Sequence, residues 1–213
     1  MARPRLLDLF CGEGGASVGY HRAGFDVVGV DRIAFERYPF DLIEADIGGD
    51  WIGDLIGEFD AVHASPPCQA HSVTRNFRNS AVHPDLLPET RDLLVSSGKL
   101  YVIENVPGAP LLDPAVLCGS MFGGLRVRRH RLFETNWMLM APPCGEHRPV
   151  TNASRDDIAD PWSVWLTVVG ALPNLDAHAD AMGIDWMSEA GLAQAIPPHY
   201  TELIGRQLLD CLP

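Results

Sequence analysis

Lysine is nearly missing from this sequence: of its 16 basic residues only Lys99 is a lysine, the rest are arginine, and 28 acidic residues bring the net charge to −12. So acidic a chain, without a lysine-rich tract, excludes a protein that holds nucleic acid through a broad basic surface. Long apolar runs are missing too. None approaches the ~20 residues of a membrane-spanning helix, and Met1-Ala2-Arg3-Pro4-Arg5 leads straight into a strand, not a cleavable leader. The expected setting is cytoplasmic, with no membrane partner. The five cysteines are scattered and odd in number, which excludes a disulfide framework. No internal repeat or low-complexity tract is present. What remains is an ordinary globular composition, 46% hydrophobic over 213 residues, enough for one domain with a small appendage.

Against that background the apolar stretches read as an alternation of strands and helices. Arg5 to Phe10 is an apolar strand running into the turn Cys11-Gly12-Glu13-Gly14-Gly15, then a helix stopped by Gly24. A strand, a glycine-rich turn and a helix open a nucleotide-binding unit, although the turn is not G-x-G-x-x-G. A second strand, Val27 to Val30, ends in Asp31, where a ribose diol is commonly held. A third, near residues 41–45, ends in Asp46, and a short helix from Trp51 to Glu58 precedes a fourth at Phe59 to Ala64. A helix from about Pro88 to Ser97 leads to a fifth strand, Leu100 to Ile103, closed by Glu104-Asn105-Val106-Pro107. Residues 118–135 read as a turn and a strand pair carrying a cluster of arginines. Ser188 caps a short helix, and a last helix runs from His199 to about Leu212. The pattern is α/β with a parallel sheet.

Ser65-Pro66-Pro67-Cys68-Gln69 is the stretch around which the chain is organised. Two prolines at a strand's carboxyl end force a stiff turn. In open α/β sheets the ligand crevice lies outside those ends, so Cys68 is a candidate nucleophile, where a lone cysteine elsewhere reads as packing. The glycine turn, Asp31, Asp46, Cys68 and Glu104 come from successive strands and converge on one edge. Residues 70–84, with Arg75 and Arg78, have the composition of a loop that closes over a substrate.

These segments resemble the DNA (cytosine-5)-methyltransferases. Asp8-Leu9-Phe10-Cys11-Gly12-Glu13-Gly14-Gly15 looks like their S-adenosylmethionine motif, Pro67-Cys68-Gln69 like their nucleophile loop, Glu104-Asn105-Val106 like their Glu-Asn-Val motif, and Arg129-x-Arg131 like the tail of Gln-x-Arg-x-Arg. Val127 stands where that last motif has Gln. The resemblance spans residues 5 to about 135 and 186 to 207, in the family's order. It implies a Rossmann-like S-adenosylmethionine-dependent methyltransferase fold, with 1–135 and 186–213 as the catalytic domain and 136–185 as a small target-recognition region.

The resemblance also implies roles. Cys68 would attack cytosine C6, Glu104 would act at N3, Arg131 would bind O2, and Asn105 would brace the Pro-Cys loop. Gly12, Gly14 and Gly15 would lie near the cofactor's methionine and ribose, Phe10 against adenine, Asp31 at the ribose hydroxyls and Asp46 at the adenine amino group, with Pro67 alongside. Gln69, Arg75, Arg78 and Arg129 would contact double-stranded DNA. A compact, monomeric, phage-like restriction–modification enzyme is expected. Alternatives are a different group transferred to pyrimidine C5, or a non-catalytic DNA-binding relative. With only about 45 residues for recognition, carrying Arg148, Asn152 and Arg155, a short and loosely read target is expected. Cys144 and His147 in Cys-Gly-Glu-His, even with Cys118, fall short of the four ligands of a structural zinc site, so no metal is expected.

Overall fold

Arg5-Leu6-Leu7-Asp8-Leu9 is apolar on both alternating sets of side chains, the pattern of a strand buried on both faces, and forms β1 (Arg5–Leu9) at the heart of a seven-stranded sheet. The computed structural model describes residues 2–49, 51–67, 85–151 and 164–213. Strands β2 (Asp26–Asp31), β3 (Asp41–Glu44), β4 (Ala61–Ala64) and β5 (Leu100–Asn105) continue the sheet in parallel. Strand β7 (Arg131–Thr135) is antiparallel to β5 and to β6 (Ala115–Leu117). The order β3-β2-β1-β4-β5-β7-β6 turns back at β1, leaving a crevice beyond the carboxyl ends of β1 and β4. This is the Rossmann-like methyltransferase fold expected from the sequence.

Register decides which residues share a face. Asp8 lies opposite His63, and His63 opposite Val102, so Leu6, Asp8, His63, Val102 and Glu104 look one way while Leu7, Leu9, Val62 and Ile103 look the other. Helices α2 (Trp51–Gly57) and α3 (Leu87–Ser97) cover the second face through Ile52, Ile56, Leu87 and Leu94. The first face is covered by α1 (Gly15–Ala23) and by the three helices nearest the carboxyl end: α4 (Leu175–Met182), α5 (Glu189–Gln194) and α6 (Pro198–Leu209). Helix α6 lies directly on α1: a Cβ at Gly19 would sit 2.0 Å from Thr201 Oγ1 and 2.2 Å from the Pro198 carbonyl. Thr201 Oγ1 in turn donates to Ala16 O at 2.8 Å.

Within the stretch 136–185, Leu166, Val168, Ala177 and Met182 are buried in the same core as Leu6 and Tyr20. Helix α4 passes unnoticed in the sequence, although Asn174 Oδ1 caps it by accepting from Ala177 N at 3.0 Å. The arginines expected on a strand pair lie mostly in the connection between β6 and β7, since only Arg131 is on a strand. Arg126 sits in the connection before it, where its N–H donates to Ala181 O and its carbonyl accepts from Leu166 N. Two short parallel strands, β8 (Val150–Thr151) and β9 (Trp165–Leu166), lie beyond. Among the described residues no helix is long and apolar enough to cross a membrane.

The α1–α6 contact predicts an asymmetry between glycines. Gly19→Ala has to push aside backbone and should lower stability by about 1–3 kcal/mol. Gly53→Ala in α2, with nothing within 4 Å of the new methyl, should raise stability by about 0.5–1 kcal/mol. Urea denaturation of both variants checks this, and equal effects would refute the close packing.

Candidate active site at the carboxyl edge of the sheet

As β1 ends the chain turns sharply. Phe10 adopts φ 60°, a left-handed conformation uncommon for an aromatic residue. Phe10 N and Cys11 N both donate to Val30 O, at 2.9 and 3.3 Å, so the turn is held against β2. Gly14, at φ 87°, leaves no room for a side chain, since a Cβ would sit 2.9 Å from Pro39 Cδ. Gly12, at φ 53°, faces open space with nothing within 4 Å of such an atom. Asp31, at the end of β2, accepts from Gly12 N (3.1 Å) and Ile33 N (3.2 Å), and each carboxylate oxygen keeps a lone pair to spare. Ile33 beside it is 48% exposed, and Asp46 beyond β3 is exposed as well. An open backbone turn, an oriented carboxylate and a bare aliphatic surface fit a nucleoside-bearing cofactor.

Glu13 points elsewhere. Its carboxylate accepts from Ser188 N at 2.6 Å and from Ser188 Oγ, while its carbonyl accepts from Trp186 Nε1 at 2.8 Å. The one acidic side chain of the Cys11–Gly15 turn therefore fastens it to the start of α5.

Beneath the turn lie two ionisable groups that reading the motifs does not single out. Asp8 is fully buried; Ser17 Oγ donates to its Oδ2 and is 2.9 Å from Tyr38 OH, while Oδ1 has no partner among the described residues. Burial pushes the Asp8 carboxyl up to about 7 against the Ser17 hydrogen bond, with the charges of Asp31 and Glu104 adding to the rise. His63 is also fully buried, between Tyr20 OH (2.9 Å) and Ser65 Oγ (2.8 Å), and burial pushes it down to about 3. The available signal was a lone polar residue at the centre of each apolar strand.

At the end of β5, Glu104 is 7% exposed and its Oε1 lies 3.0 Å from Arg131 Nε. Burial raises the Glu104 carboxyl above the usual range, with Arg131 and then Arg129 opposing the rise. Asn105 Nδ2 donates to Pro66 O at 3.1 Å, linking the Glu-Asn-Val segment to the start of the proline turn at Pro66-Pro67. Arg131 also lines an open cleft of about 250 Å³ with Pro107, Arg128 and residues 166–169. Cys68, Gln69, Arg75 and Arg78 lie outside the described residues.

Arg129 is corrected as a DNA contact. It is 5% exposed and donates to three carbonyls: Ala195 O (2.8 Å), Val168 O (2.5 Å) and Ala193 O (2.9 Å). Arg126 is also buried and pairs with Asp180 at 2.6 Å. Of the four arginines in 126–131 only Arg128 is exposed, so the apparent basic patch is largely turned inward.

The model of the C-5 cytosine-specific DNA methylase family matches residues 4–113, about half of the chain. A type II methyltransferase, M.XorII of Xanthomonas oryzae pv. oryzae, is 31% identical over 128 residues, 51% of this chain and 29% of that protein. M.FnuDI of Fusobacterium nucleatum is 30% identical over 49% of this chain and 33% of its own length. The matched part thus spans about a third of these curated relatives. Among solved structures, a prophage-encoded E. coli protein described as a DNA modification methyltransferase aligns over 97% of this chain and 99% of its own, with TM-score 0.63 and 16% identity. The S. pombe Dnmt2 methyltransferase aligns over 99% of both chains, with TM-score 0.61 and 12% identity. At such identities these structures speak to the fold.

Asp8 makes a stability prediction with a definite sign. Its folded pKa, about 7, lies above an unfolded value near 3.9, so its contribution is present below about pH 4 and is lost as pH rises through 7. His63, lowered on folding, acts oppositely and loses stability as pH falls below about 6.5. Comparing Asp8→Asn with the parent isolates the first effect: the variant should gain a few kcal/mol relative to the parent between pH 4 and pH 8. Parallel urea-stability curves over that range would show that Asp8 is not buried as described.

Proposed function

This chain belongs to the C-5 cytosine-specific DNA methylase family, and we propose that it transfers a methyl group from S-adenosylmethionine to C5 of cytosine in DNA. The observation that carries this reading furthest is Glu104: a buried carboxyl at a strand's carboxyl end, paired with Arg131 and one residue from the amide that holds the proline turn.

Cytosine C5 is too weak a nucleophile to take a methyl group unaided. The Cys68 thiolate adds to ring C6, and the electrons of the 5,6 double bond move to C5. Glu104, whose burial favours the protonated form, hydrogen-bonds N3 and draws electron density from C6. Arg131 holds Glu104 in position and offers its remaining N–H groups to the base's O2. Asn105 fixes the Pro66 carbonyl and so the approach of Cys68. When bound, S-adenosylmethionine would supply the methyl group as an electrophile on sulfonium, the S–CH3 electron pair staying on sulfur as a neutral thioether; Asp31 and the Gly12–Gly15 turn would hold it, with Phe10, Asp46 and Pro67 around it. Once C5 carries the methyl group, loss of the C5 proton and expulsion of the Cys68 thiolate restore the ring. None of this is possible within a stacked duplex, so the cytosine is turned out into the crevice.

Two substitutions separate chemistry from cofactor binding. Cys68→Ala should abolish 5-methylcytosine in DNA from expressing cells, read by nucleoside mass spectrometry, while S-adenosylmethionine binding stays within about twofold; continued methylation would remove Cys68 from the mechanism. Asp31→Ala should weaken S-adenosylmethionine binding by about 1–3 kcal/mol, and unchanged calorimetric affinity would move the cofactor elsewhere. A covalent adduct with a 5-fluorocytosine duplex but no 5-methylcytosine in cellular DNA would point to a different transferred group.

A further inference from the structure

Four side chains outside the methylation site converge on one point. The antiparallel pairing of β6 and β7 sets Leu117 opposite Arg131, so Cys118, just after β6, faces His130, just before β7. Cys144 and His147, from the Cys-Gly-Glu-His stretch, close over them. One ligand atom from each of the four lies within 4.8 Å of every other. The Cys118 Sγ–His147 Nε2 distance is 3.3 Å, Cys144 Sγ–His147 Nε2 3.1 Å, and Cys144 Sγ–His130 Nε2 3.5 Å. Counting ligands along the chain finds only Cys118, Cys144 and His147; His130 is hidden in Arg-Arg-His-Arg and is brought in by strand register.

We propose that Cys118, His130, Cys144 and His147 bind one structural zinc ion. Zn–S distances near 2.3 Å and Zn–N distances near 2.0 Å in a tetrahedron put ligand atoms roughly 3.3–3.8 Å apart, close to the spacing here. Two thiolates with two imidazoles in a tetrahedron are the donor set zinc favours. Ordinary hydrogen bonding explains the cluster less well. The two thiols have one proton each, yet three sulfur–nitrogen contacts meet in it, two of them on the same His147 nitrogen. No disulfide links the pair either, for Cys118 and Cys144 are both free.

The site has a mechanical purpose. Residues 136–149 carry no helix or strand, and Met138 and Met140 are 85% and 70% exposed. That stretch is also tethered by Asn136 at Lys99 O and Tyr101 N, by Gln207 at Met140, by Ser120 Oγ at Gly145 N and by Pro149 O at Trp165 N. The ion would fasten it to the β6–β7 end of the sheet. His130 also accepts from Arg131 through its carbonyl at 2.9 Å, so the same ion would steady the residue ahead of Arg131. With four protein ligands the site is closed, which makes it structural and not catalytic. His147 is oriented edge-on by Trp165 and His130, with ring centroids at 5.9 and 5.0 Å.

The test is elemental analysis of the whole chain purified without chelator. About one zinc per chain is expected, falling at least fivefold in Cys144→Ser and in His147→Ala, with far-ultraviolet circular dichroism showing that both variants stay folded. Cobalt(II) added to the metal-free protein should give visible tetrahedral bands and a thiolate charge-transfer band, both lost in Cys144→Ser. Absence of zinc in the purified chain, together with no cobalt spectrum after reconstitution, would overturn the proposal. So would an intact mass lower by two hydrogens that reverts on reduction, since that is a Cys118–Cys144 disulfide. None of these readouts depends on methylation.

Discussion

Asp8, His63 and Glu104 stand on one face of three adjacent strands, each removed from water, and much of the site is arranged to meet their needs. A buried ionisable group without partners costs several kcal/mol, so each has acquired neighbours. Helix α1 supplies Ser17 to Asp8 and, three residues on, Tyr20 to His63, which fixes that helix in both position and rotation. The segment after β2 supplies Tyr38. Ser65 meets His63, and Arg131 pairs with Glu104 at the end of the next strand. The polar run Tyr20–His63–Ser65 therefore ends next to Pro66-Pro67, whose first carbonyl is held by Asn105 beside Glu104.

The sheet and the glycine turn could be read from the sequence because their determinants are local: apolar runs, glycines and a Ser188 cap that accepts from Gly191 N at 3.1 Å. Glu104 and Asn105 were legible for the same reason, as polar residues at the end of a buried strand. The arginines were not. Counting charge along residues 126–131 gives a basic patch, but the carbonyls that absorb Arg129 belong to Val168, Ala193 and Ala195, far along the chain. Glu13 likewise finds its partner, Ser188, far along the chain. Asp8 and His63 looked like strand residues because they are; only burial makes them chemically unusual.

Arg129 and Glu13 also explain how distant parts of the chain become one site. Glu13 binds the amino end of α5, while Arg129 binds carbonyls at its carboxyl end and Tyr200 OH donates to Arg129 O at 2.7 Å. The short helix is thus held at both ends, by the glycine-rich turn and by the connection leading to Arg131. A displacement of α5 would be felt at both places, because charge-assisted hydrogen bonds of this kind tolerate little misalignment.

The close seat of α6 on Gly19 bears on the order in which the protein assembles during synthesis. Strand β1 and helix α1 leave the ribosome well before α6, so the face of α1 around Ala16, Gly19 and Tyr20 finds its cover only when residues 198–209 have emerged. Contacts of such long sequence separation form late and slowly. Until then the first helix carries an uncovered apolar groove on a nascent chain, the kind of surface that chaperones recognise. Between the synthesis of α1 and that of α6, the helix next to the glycine-rich turn is accordingly a part of the chain exposed to aggregation.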